Sequence, residues 1–181
     1  MTMSARQATA RDLAVNAAIL GVAAMAWFGW AQEAPPAGWP VALGIGSGLG
    51  ILIAVFAGVS AWRNRRSGSA MADRSGRRRY SLAVGVETIA AAVGAVALAL
   101  TGQSAYIAPW ILFVVGTHFV PLSRLFAIRS LAVAGVLLVA VSVAAVITGL
   151  LGLATPSAVA GGFAGVILVV FAIWSLLQIR R

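Results

Sequence analysis

Two side chains in this sequence carry chemistry that a hydrocarbon environment makes expensive: Glu87 and His118. Each lies inside a long apolar run, where an ionisable group calls for a partner or a task. A carboxyl beside an imidazole can exchange a proton, hold a ligand, or fix the register of two helices by a hydrogen bond. At 1.5 Å per residue, Glu87 sits about 9 Å and His118 about 12 Å from the same membrane face. The two runs are consecutive and joined through Gln103-Ser104, so the groups could meet, though the sequence alone does not decide that they do. Asn16, roughly 6 Å into the first run, is placed to join that layer. Glu87 shares its helix face with Ala83, Ala90, Ala91 and Gly94, a strip of small residues that another helix or a cavity can approach.

The segment around His118 has its own signals. Pro121 lies inside an apolar run and cannot donate a backbone hydrogen bond, so the Thr117 carbonyl is freed and a kink is expected. Thr117, Pro121 and Arg124 fall on one face, and Arg124 is near enough to the interface to snorkel. Ser123 is positioned to help satisfy the freed backbone groups. The expected ligand- or proton-handling set is therefore Glu87, His118, Asn16, Thr117 and Arg124, with Pro121 as the kink. The stretch Gly116-Thr117-His118-Phe119-Val120-Pro121, with Leu122 and Phe126 beyond, resembles the Gly-x-His-Phe-x-Pro stretch of a family of small, uncharacterised multispan bacterial membrane proteins. The resemblance covers one helix and implies a multispan bacterial membrane protein; it brings no activity with it.

Other chemistries are excluded by composition. The chain has no cysteine and a single histidine, which removes thiolate metal sites, disulfide frameworks, cysteine nucleophiles and histidine clusters. No metal site is expected. No cofactor is expected either, because the glycine-rich runs lie within apolar segments and not after a strand. With 61% hydrophobic and 9% charged residues, and a mean hydropathy of +1.00, the sequence is not that of a soluble enzyme, a disordered tail or a free nucleic-acid-binding domain.

The elements that must position these residues are membrane helices. About 20 apolar residues cross a ~30 Å hydrocarbon layer. Six runs qualify: Leu13–Ala31, Pro40–Trp62, Ser81–Gly102, Tyr106–Phe126, Ser130–Leu150 and Pro156–Leu177. The expected fold is all-α, a polytopic six-span protein forming a single membrane domain over residues 1–181, with an Arg-rich loop at 63–80. The first run resembles a signal peptide in its basic flank. At nineteen residues ending in tryptophans, it is longer than such a segment requires, and a retained helix is expected.

Charge sets the expected orientation. All thirteen basic residues are arginine, and a six-span chain puts every one on the same side. They are Arg6 and Arg11 before span one, seven residues from Arg63 to Arg79, Arg124 and Arg129, and Arg180 and Arg181. The positive-inside rule then makes both termini cytoplasmic. The same charge implies attraction to anionic lipid headgroups as partner. Nucleic acid is not expected as a partner, since Tyr80 is the sole aromatic of the basic segment. Use of arginine without lysine fits a GC-rich bacterial genome, hence a bacterial plasma (inner) membrane. Trp27, Trp30, Trp39, Tyr106 and Trp110 at one face, and Trp62, Tyr80 and Trp174 at the other, read as interfacial belts.

Internal similarity suggests three helical hairpins in one orientation. Leu-Ala-Val follows an arginine at Leu13, Leu82 and Leu131, and Gly46–Arg66 laid over Gly161–Arg181 gives eight identities in 21. Shared membrane composition explains such matches equally well. The glycine stripes Gly44–Gly50 and Gly161-xxx-Gly165 predict close helix packing by spans two and six, with each other as one arrangement and between copies of a homo-oligomer as another. Three functions remain open from sequence: binding or transport of a small-molecule or ionic ligand through a polar intramembrane site, an enzyme acting on an isoprenoid or lipid, and a non-catalytic subunit of a membrane complex.

Overall fold

The computed structural model describes residues 8–72 and 74–179. Arg6, Asp73, Arg180 and Arg181 lie outside the described residues. Six helices follow one another: α1 (Ala10–Ala31), α2 (Trp39–Arg63), α3 (Arg74–Leu100), α4 (Ile107–Phe126), α5 (Arg129–Leu150) and α6 (Pro156–Gln178). All six are long and apolar enough to cross a membrane, and no strand occurs among the described residues. The breaks have local causes. Thr9 caps α1 by accepting the Asp12 N–H at 3.1 Å. Gly38 turns the chain at φ 85° into α2, with Pro40 in the first turn. A 3-10 turn over Ser104–Tyr106 leads into α4, and Pro156 opens α6. Ala127, at φ 56°, ends α4 in the left-handed region.

The helices form a row in the order α2, α1, α6, α5, α4, α3, closed up where α6 also touches α2 and α4. The fully buried leucines Leu20, Leu112, Leu138 and Leu168 come from α1, α4, α5 and α6. Along most of the row, backbones approach through glycine. A Cβ at Gly21 would lie 2.8 Å from the Gly50 carbonyl oxygen, and one at Gly50 would lie 2.8 Å from that of Gly21. Gly116 and Gly135 make the corresponding contact between α4 and α5. Gly161 fits against the α1 backbone at Trp27 and Ala31, and Gly46 and Gly165 grip the Phe28 ring from either side. Gly46 and Gly50 of α2 and Gly161 and Gly165 of α6 thus meet α1, with only a minor α2–α6 contact beside them, whereas Gly44 and Gly48 have nothing within 4 Å. Sequence pointed to stripes needing a close neighbour. It did not show that α1, itself carrying Gly21 and the small residues Ala17, Ala24 and Ala31, is that neighbour.

Two further expectations are corrected. The segment 63–80 is not wholly a loop: α3 begins at Arg74, and its first two turns carry arginines. Low hydropathy ends a membrane span but not a helix, and arginine is a good helix former. Trp27, expected in an interfacial belt, is only 6% exposed, because α1 is the interior helix of its half of the row. Its ring stacks on Trp30 with centroids 5.4 Å apart.

By contrast, α3 is peripheral. Its one buried residue is Gly76, and within the row it packs mainly on α4.

Candidate functional site

The Glu87 and His118 side chains meet. Oε2 of the carboxylate lies 3.4 Å from Nε2 of the imidazole, with the side chains 22% and 7% exposed. The Ala83 carbonyl, one turn before Glu87, also hydrogen-bonds the ring. The small-residue strip beside Glu87 explains how α4 comes so close. The Trp110 indole donates to the Ala90 carbonyl at 3.1 Å, and Gly94 leaves the notch into which that indole fits. Trp110, like Trp27, is therefore tied into the protein and not only to an interface.

Beside the pair lies a cavity of about 300 Å³ between α1, α3 and α4. Each helix contributes one face. From α1 come Asp12, Asn16, Ala23 and Trp27, at successive whole-turn spacings. Tyr80, Val84 and Glu87 line it from α3, and Val115, His118, Phe119, Leu122 and Phe126 from α4. Asn16 sits in the same chamber as the pair and donates to the Ser175 hydroxyl at 3.0 Å. Polar groups gather toward the arginine-bearing end and apolar ones toward Trp27. A larger groove of about 530 Å³ near Phe28, Trp39 and Phe163 has no ionisable side chain in its walls.

Thr117 and Arg124 are not brought to this chamber. Pro121 and Arg124 do share a face, but it borders a separate hollow with Arg79 and Ala83. Thr117 is exposed, and its hydroxyl donates to the Val114 carbonyl at 2.8 Å. The residue next to His118 is turned about 100° away around the helix, which is why adjacency in sequence did not become adjacency in the site. α4 runs on through Pro121 to Phe126, and the Ser123 hydroxyl bonds the Val120 carbonyl at 2.7 Å and not that of Thr117.

Sequence reasoning missed Trp27 and Tyr80 as wall residues, and read Asp12 only as an acid at the interface that could assist an enzyme. The signal was present: Asp12 is four residues before Asn16, and Tyr80 seven before Glu87, so each shares its partner's helix face. Asp12 also does something the sequence could not announce. Its buried carboxylate accepts from the Ser69 hydroxyl at 2.7 Å and the Ala70 N–H at 2.9 Å, and so fastens the α2–α3 loop to the start of α1. Thr9 to the Gly68 carbonyl at 3.3 Å and Arg11 to the Arg65 carbonyl at 3.4 Å add to the same seam. Among the described residues, no three histidine, aspartate or glutamate side chains converge as metal ligands would.

Six apolar helices with ionisable groups turned inward define an integral, multi-pass membrane protein of the α-helical class. Comparison of the chain with family models, curated proteins and solved structures returns no match.

Proposed function

We propose that this membrane protein binds a small molecule or ion in the chamber beside Glu87 and His118 and carries it through the bilayer. One observation supports the reading above others: the acid–imidazole pair, 3.4 Å apart, forms part of the wall of a cavity of about 300 Å³. A pair whose task is to fix helix register needs no space beside it, and interiors rarely leave a void of that size without use. Glu87 is the ionisable group that meets the ligand, His118 holds it in place, and Asn16 offers a further hydrogen bond.

The experiment uses purified protein in liposomes loaded with a pH-sensitive dye, with solutes of different classes added outside. The wild type is expected to show solute-dependent proton movement, and Glu87→Gln to lose it. Equal traces from a folded Glu87→Gln variant would remove Glu87 from the function. We further propose that the arginine-bearing end faces the cytoplasm of a bacterial cell. A reporter fused after residue 181 should then be active only in a cytoplasmic form. An enzymatic reading, with an isoprenoid or lipid as substrate, is favoured by the apolar walls alone. Asp12, the other carboxylate in the chamber, is engaged by Ser69 and Ala70, so Glu87 would have to serve as both acid and base.

A further inference from the structure

The charge of the chamber is opposite to that of the chain around it. The protein carries thirteen arginines against four acidic residues, for a net charge of +9. Yet two of those four acids, Asp12 and Glu87, stand in the walls of this one cavity, and no arginine does. The remaining wall is aromatic and aliphatic: Trp27, Tyr80, Phe119 and Phe126 supply four π-faces or edges around the same space. A carboxylate with aromatic rings in a chamber of largely apolar walls is the surrounding that an organic cation prefers, since the ring faces are negative and compete with water for a weakly hydrated charge. An anion would meet Glu87 and Asp12 with no guanidinium to offset them. A small inorganic cation would lack the dense oxygen shell it requires.

We propose that the ligand is an amphipathic organic cation, a substituted ammonium with an apolar body, whose charge sits by Glu87 and whose body lies toward Trp27. The inference rests on the reading of the chamber as a ligand site and narrows it to one chemical class. The size agrees: about 300 Å³ admits a single ring bearing a trialkylammonium group. The hydroxyl and N–H of the α2–α3 loop already occupy the Asp12 carboxylate. Glu87, 22% exposed on its side chain and in contact with His118 through one oxygen at 3.4 Å, is the acid that reads the charge.

The test compares phenyltrimethylammonium with tert-butylbenzene, its neutral counterpart of the same shape. Equilibrium dialysis of the full-length protein in detergent is read against empty micelles, with the difference in tryptophan fluorescence between the wild type and Trp27→Phe as a second signal. The cation is expected to bind about tenfold tighter than the neutral compound. Glu87→Gln should abolish that preference, and Glu87→Asp should keep it. Ala23→Phe, which fills the chamber from α1, should block both compounds. Equal or tighter binding of the neutral compound would overturn the cation assignment while leaving a ligand site in place. A preference that survives Glu87→Gln would also overturn it. Binding of neither compound would overturn both this inference and the reading on which it rests.

Discussion

The contact between Glu87 and His118 can be weighed by a double-mutant cycle with Glu87→Ala, His118→Ala and the pair together. The separation of 3.4 Å is longer than the usual 2.7–3.2 Å of a good N–H···O bond, so the interaction belongs at the weak end for bonds to an ionisable group. That end is about 1.5 kcal/mol. Burial then decides what each single change costs. The His118 side chain is 7% exposed and has little access to water if Glu87 is removed, whereas Glu87, at 22%, keeps some. Glu87→Ala should cost about 1–3 kcal/mol through the stranded ring nitrogen, relieved in part by the Ala83 carbonyl. His118→Ala adds the loss of a buried ring against Phe119 and Val115. The double variant should lose less than the sum of the singles, by a coupling of about 1.5 kcal/mol. Reversible unfolding in mixed micelles, followed by tryptophan fluorescence, measures all four corners. A coupling below about 0.3 kcal/mol, within the ordinary additivity of unconnected sites, would refute the claim that these groups act as one unit.

Three other changes test the frame around the site. Gly21→Val should destabilise by about 1–3 kcal/mol, because its Cβ alone would stand 2.8 Å from α2 backbone atoms, whereas Gly44→Val, with nothing within 4 Å, should change little; equal effects in thermal unfolding would show that α1 and α2 do not meet at Gly21. Asp12→Ala removes the bonds that hold Ser69 and Ala70, leaving only those from Thr9 and Arg11 on the α2–α3 loop, so trypsin should cut within residues 65–74 several-fold faster than in the wild type; unchanged cleavage would mean the Asp12 bonds are not what holds the loop. Ala127→Gly relieves a left-handed residue at φ 56° and should raise stability by about 0.5–1 kcal/mol, against a loss if that turn is not left-handed.

Much of this was legible in the sequence because one force dominates. A bilayer demands long apolar runs, and six of them, bounded by arginines, prolines and glycines, emerge within a few residues of the observed helices. That Glu87 and His118 could meet was legible too, since a hairpin with two ionisable groups at similar depth has few other ways to satisfy them. What escaped depends on rotation and on neighbours far along the chain. Thr117, Pro121 and Arg124 were placed on one helix face, but hydropathy does not say which neighbour that face looks toward. The stripe Gly44 to Gly50 announced close packing without showing that only Gly46 and Gly50 would be used, or that Gly21, 29 residues before Gly50, is the counterpart of Gly50. Asp12 read as an interfacial acid, because its partners Ser69 and Ala70 lie across two helices and a loop.

The peripheral position of α3 ties the site to its solvent. The apolar part of α3, residues 81–100, is about 30 Å long, which matches a hydrocarbon layer of about 30 Å. Packed in the row mainly on α4, this helix has few protein contacts to oppose a change of tilt in a bilayer of another thickness. Glu87 rides on it and His118 does not. Host lipids of different thickness therefore act on the gap between the acid and its imidazole, and the choice of bilayer belongs among the variables that set the behaviour of the site.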